Sequence, residues 1–296
     1  MNVIKHKWAF LSFSILITIV SVFGLFAFGL EKGIDFTGGT LWQMQFDQPV
    51  AKQALVKTLQ TDFALADAIV TEQEGTNAYI VRTKEMNEPS HQDFSRRIRE
   101  AHGNFTELSF ESIGASIGNE LASKAIWAFV ISLLAISLYI AYAFRKVSRP
   151  VSSWKYAAIT LITLFHDAII PLGLFAFLGH YLGVETDINF IVAILVVIGF
   201  SVHDTIVVFD RIRENLRVSS SGDFGALVNR SINETFARSL NTSLTLLIVL
   251  ITLFILGAAT LKYFVLAILV GTVAGTYSSI FVASPLLVLW QKAQRK

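Results

Sequence analysis

The chain of 296 residues contains no cysteine. That absence excludes a disulfide framework, a thiolate metal site and a cysteine nucleophile. It says little about compartment, because many external domains do without disulfides. Charge is also scarce. Asp, Glu, Lys and Arg make up 16% of the chain against 53% hydrophobic residues, and the mean hydropathy is +0.58. An ordinary soluble domain is less apolar and more charged. The net charge of +2 is close to neutral, and no basic, aromatic-interleaved patch occurs. Nucleic acid is therefore not an expected partner. No low-complexity tract is present.

What the chain has is long apolar runs. A bilayer-spanning helix needs about 20 mostly apolar residues. Six stretches meet that test: 8–30, 121–144, 155–179, 188–209, 239–257 and 263–290. The first follows Lys5 and Lys7, as a secretory signal would. Its apolar run is too long, however, and no small-x-small cleavage site clearly follows. It reads as a retained anchor.

Lys and Arg set orientation. Lys5 and Lys7 precede span one, and Arg145, Lys146, Arg149 and Lys155 lie between spans two and three. Arg211, Arg213, Arg217 and Arg230 lie between spans four and five, and Lys292, Arg295 and Lys296 follow span six. With six spans and both termini cytoplasmic, all of these fall on one side. The short loops on the other face carry Glu185, Asp187 and Lys262. The expected organisation is a membrane α-helical protein: helix one over 1–30, a periplasmic domain over 31–120, and helices two to six over 121–296.

Residues 31–120 are far more polar. LWQMQF (41–46) alternates like a strand, and Pro49 followed by VAKQALVKTLQ reads as the start of an amphipathic helix. DAIVTEQ (67–73) and NAYIVRT (77–83) flank Glu74-Gly75-Thr76 as a hairpin. HQDFSRRIREAH (91–102) reads as a helix and FTELSFESI (105–113) as a last strand. The order β-α-β-β-α-β is that of an α+β ferredoxin-like sandwich. Fold alone assigns it no job. Between spans four and five, 210–238 reads as a cytoplasmic amphipathic segment, with one helix at the interface, a break at SSSG (219–222) and a second amphipathic helix over 223–238 that feeds into span five.

Ionisable groups inside spans are costly and usually face protein or water. Span three carries His166 and Asp167, span four His203 and Asp204, and span five opens with Arg238. By depth, Asp204 and Arg238 lie near one level, so a contact between neighbouring helices is possible. Arg238, Thr242 and Thr245 share one helix face, as do Ser201 and Asp204. Asp167 sits deeper on the same polar track. One reading is an ion relay: burial favours the neutral acid, a nearby guanidinium favours the carboxylate, and alternation between them moves a proton. The other is a static ion pair that fixes helix packing. A span-end Arg can also simply snorkel to the interface. Two His-Asp dipeptides invite a metal, yet adjacent helix residues point about 100° apart and chelate poorly. With no HExxH and no third ligand, no metal is expected. His166 reads as a side chain bonded within the bundle. Gly271, Gly275, Ser278 and Ser279 make a small-residue face on span six that permits close helix contact. No nucleophile–base set supports an enzyme.

Several segments carry a family likeness. They are GIDFTGGT (33–40), ESIGASIGNEL (111–121), FHDAIIPLG (165–173), IGFSVHDTIVVFDRIREN (198–215), SINETFARSLNTSLTLL (231–247) and GTYSSIFVASPL (275–286). Together they resemble the SecD/SecF family of protein-export membrane proteins, related to the resistance-nodulation-division transporters. The resemblance covers nearly the whole chain. It implies a bacterial inner-membrane subunit that uses an ion gradient, and no cofactor, to help pull or release preproteins. It implies SecD, the translocation channel (SecY, SecE, SecG), a translocating preprotein and membrane lipid as partners. The family's relay carboxylate falls on Asp204, its relay arginine on Arg238 and its span-three aspartate on Asp167. His203 stands where the family usually has Asn, and that leaves the coupling ion, proton or sodium, open. A small-molecule exporter of the superfamily and a purely structural assembly subunit remain as alternatives. The exporters generally carry two large external domains and about twice as many spans, which argues against the first.

Overall fold

The computed structural model describes residues 1–63, 65–73, 76–145, 151–218 and 223–293. Glu74 and Gly75 of the expected hairpin, Lys146, Arg149, the break at 219–222, Arg295 and Lys296 lie outside the described residues. Backbone contacts divide the chain into two units: Lys32–Ile126, and Met1–Glu31 together with Trp127–Lys296.

The first unit is the α+β domain. A short helix α2 (Ile34–Thr37) leads into β1 (Gly39–Phe46), α3 (Lys52–Lys57), β2 (Ile69–Gln73), β3 (Ala78–Thr83), α4 (Glu88–His102) and β4 (Phe105–Ile113). The sheet is antiparallel with order β2-β3-β1-β4, so the expected β-α-β-β-α-β sandwich is present. Alternation along β1 puts Trp42, Met44 and Phe46 on the buried face, against Leu55, Leu59 and Ile98 from the helical segments. A π turn (Thr58–Asp62) extends α3. Asn87 caps α4 by accepting from the Ser90 N–H at 3.0 Å, with Pro89 in the first turn.

Gly38 and Gly39 need to be glycine. Both have positive φ, at 73° and 126°. A Cβ on Gly38 would also lie 2.6 Å from Ala115 Cα, and one on Gly39 would lie 2.9 Å from the Thr83 carbonyl. Two of the quoted segments, GIDFTGGT and ESIGASIGNEL, thus meet backbone to backbone.

The second unit is helical. It contains α1 (Lys7–Phe28), the later part of α5 (Ala115–Ala143), α6 (Ser153–Leu182), α7 (Ile188–Val218), α8 (Phe224–Leu256), α9 (Lys262–Ser278) and α10 (Ser284–Ala293). A π turn, Ser279–Ala283, joins the last two into one span. Among the described residues, six helices are long and apolar enough to cross a bilayer, as the hydropathy pattern required. The chain is a multi-pass membrane protein.

One expectation is corrected. Residues 210–218 are not a separate interfacial helix but the continuous end of α7, while 224–238 open α8 and run straight on into span five. No proline interrupts either stretch, Gly225 falls only in the first turn of α8, and Asp223 starts that helix by accepting from the Gly225 and Ala226 N–H groups. Charge changed along these helices, but nothing stopped them.

Small residues set the closest crossings. A side chain on Gly173 of α6 would run into the backbone of Ser21 on α1. A Cβ on Gly275 of α9 would lie 2.8 Å from Ser201 Cβ on α7, and one on Gly271 would strike Val197. Such faces let backbones approach where lipid offers no hydrophobic drive between helices.

Candidate functional site: buried carboxyl groups among hydroxyls

Asp167 of α6 has no exposed surface. It accepts from Ser278 Oγ of α9 at 2.7 Å and from Ser201 Oγ of α7. His166 Nδ1 lies 2.8 Å from its other oxygen. Adjacent residues on a helix were expected to point apart, yet the imidazole folds back onto its neighbour, because Asp167 reaches sideways to its two hydroxyl partners. His166 is thereby bonded within the bundle, as expected. Both neighbouring elements are irregular. Pro171 cannot donate to the Asp167 carbonyl four residues earlier, and the π turn begins directly after Ser278.

One turn along α7 from Ser201 stands Asp204, 2% exposed. Ser239 and Ser243 of α8 are the hydroxyls beside it. Neither completes a hydrogen bond to Oδ2, which has no partner among the described residues, and the same holds for Ser239 Oγ and the neighbouring Thr205 Oγ1. Ser243 in turn receives a 2.7 Å hydrogen bond from Thr276 of α9. The two carboxyl groups therefore belong to one polar seam between α6, α7, α8 and α9. Asp167 is fully engaged, and Asp204 is not.

The structure does not bring Arg238 to Asp204. Arg238 is exposed, and among the described residues its guanidinium makes no ion pair. The reason is helix phase. The buried face of α8 is Thr235, Ser239 and Ser243, four residues apart, and Arg238 lies about 100° from Ser239. Arg238, Thr242 and Thr245 do share a face, but it is the outward one. His203 is also exposed, on the outward stripe of α7 with Val192, Val196 and Gly199. Sequence reasoning missed Ser239, Ser243 and Thr276, and read Ser278 only as a small packing residue. The signal was present as the four-residue spacing of hydroxyls on α8. It was outweighed by the single charge one residue away.

Hydroxyl groups suit a carboxyl that changes state. A Ser or Thr donates to a carboxylate and accepts from a carboxylic acid by rotating its proton, whereas a guanidinium only donates. The same oxygens can ligate a hard monovalent cation.

Comparisons with known proteins decide the family. The profile described as "Protein export membrane protein SecD/SecF, C-terminal" matches residues 93–293, and "SecD/SecF GG Motif" matches 23–50, which includes Gly38 and Gly39. The chain belongs to the SecD/SecF family. It is 42% identical to the protein translocase subunit SecF of Thermobaculum terrenum, over 98% of this chain and 94% of that one. It is 34% identical to the translocase subunit SecDF of Thermus thermophilus, over 92% of this chain but 36% of that longer protein. The crystal structure of SecDF from the same organism superposes with a TM-score of 0.83 at 32% identity, covering 99% of this chain and 39% of that one. A second SecDF structure, titled as a super-membrane-facing form, gives a TM-score of 0.71.

Proposed function

We propose that this chain is an auxiliary subunit of the bacterial Sec preprotein translocase, not an enzyme, and that it draws on an ion gradient through Asp204 to assist late translocation or release of preproteins. SecD is its partner in this reading, and the channel and preprotein are the other bodies it works with. It sits in the inner membrane with the α+β domain outside the cytoplasm. The relatives named as translocase subunits support the setting. The single observation that carries the chemistry is Asp204 itself: a buried carboxyl inside a span, lined by hydroxyls, with one oxygen unsatisfied.

Burying an uncompensated charge is expensive. A proton, or a cation held by the carboxyl and its hydroxyl neighbours, removes that cost. Arg238 would remove it in another way, by turning inward at a different stage of the cycle. Moving one charge through the membrane potential supplies about 2.3 kcal/mol per 100 mV. Asp167, satisfied on both oxygens, anchors α6, α7 and α9 around the site.

Export into inverted vesicles tests this. Asp204→Asn should insert and assemble normally while ion-driven stimulation of export falls to background. Full stimulation by a stably inserted Asp204→Asn variant would leave the assembly role as the better account. Running the assay under separate proton and sodium gradients identifies the ion.

A further inference from the structure

We propose that the cavity at the start of α1 binds the phosphate group of an anionic phospholipid. Segments far apart in sequence build it. Asn2, Lys5 and Lys7, the first turns of α8 and Lys292 of α10 line a space of about 740 Å³. The segment before α1 is fixed there. Asn229 Oδ1 accepts from the Ile4 N–H at 3.3 Å, and the side-chain amides of Asn229 and Asn233 donate to the Met1 carbonyl at 3.1 and 2.9 Å. Val3 is fully buried in the helical core.

The charges around this space do not cancel. Four cations, Lys5, Lys7, Arg230 and Lys292, face two carboxylates, Asp223 and Glu234. Both carboxylates are engaged. Asp223 caps α8, and Glu234 takes Arg211 at 2.7 Å, Arg230 at 2.8 Å and Asn215 at 2.8 Å. Among the described residues, Lys5, Lys7 and Lys292 have no carboxylate partner. Among the described residues, three ammonium groups therefore line an open concavity without an ion-pair partner. Lys5 and Lys7 stand at the start of a span of mean hydropathy 2.4, so the cavity lies at the membrane–water boundary. Phospholipid phosphates lie at that depth, and basic pockets between spans suit them. Lysine supplies the compact point charge that a phosphate accepts from several directions. This inference does not depend on the translocation reading.

The test uses the full chain in nanodiscs of phosphatidylcholine, with or without phosphatidylglycerol, and in phosphatidylcholine discs with added inorganic phosphate. Native mass spectrometry reads the lipid retained on release, and a thermal scan reads stability. Phosphatidylglycerol should be retained preferentially and should raise the melting midpoint. The Lys5→Gln, Lys7→Gln, Lys292→Gln variant should lose about fivefold in retention per lysine, with its midpoint in pure phosphatidylcholine unchanged. Lys262→Gln, at the start of α9 and stacked over Phe254, should behave as the parent. Should the triple variant fail to fold, Lys292→Gln alone carries the test with a fivefold change. Undiminished phosphatidylglycerol retention by the lysine variants would overturn the proposal. So would inorganic phosphate reproducing the stabilisation, which would assign the cavity to a soluble phosphate.

Discussion

At the residue scale, the two buried aspartates differ in what surrounds them, not in how deeply they lie. Asp167 has its partners already in place, and Asp204 has an oxygen to spare. In the proposed function, that difference gives the anchoring part to Asp167 and the exchanging part to Asp204. A separate residue gives the α+β domain a pH response. Burial holds the His102 imidazole below its ordinary 6.5, only partly offset by Asp62, while its Nε2 meets Thr58 Oγ1 at 2.8 Å. The sign follows. As pH falls below about 6.5 the unfolded chain takes up a proton that the folded domain resists, so stability falls with acidification. Hydrogen exchange on the full chain, corrected for intrinsic rate, should show β1 and β3 losing protection between pH 7.5 and 5.5. His102→Gln should flatten that response, and an unchanged slope would refute the assignment.

At the element scale, glycine placement decides which helices touch. Gly275 lets α9 come close enough to α7 for Ser278 and Ser201 to reach the same Asp167 oxygen. Gly275→Leu should therefore cost about 1–3 kcal/mol by overpacking, seen as a lower melting midpoint in detergent. Val273→Leu, half exposed on the same helix, should be neutral. Equal midpoints for the two variants would mean that α7 and α9 are not in tight contact. The hydropathy pattern named every spanning helix, because about 20 apolar residues are a strong local signal. It did not show that α7 runs on past residue 209 to Val218, because charged residues continue a helix as readily as apolar ones do.

At the scale of the whole molecule, six spans and one α+β domain define what the chain can do. A bundle fixes groups at membrane depth, and a domain between spans one and two offers a body on one side. The uneven distribution of Lys and Arg predicts that side. A phosphatase reporter inserted in the turn between β2 and β3, at Thr76, should be active outside the cytoplasm. Activity only in the cytoplasm would invert the orientation.

From the sequence by itself came the number of spans, the strand and helix order of the domain, the family likeness and the two acidic residues at membrane depth. Each of these is carried by local composition, periodicity or a short contiguous motif. The tertiary structure alone decided which hydroxyls surround each carboxyl, and that Ser239 rather than Arg238 turns toward Asp204. It also decided that three lysines from opposite ends of the chain converge on one cavity. Those outcomes depend on helix rotation and on contacts across hundreds of residues, and a difference of one position on a helix moves a side chain about 100° around its axis.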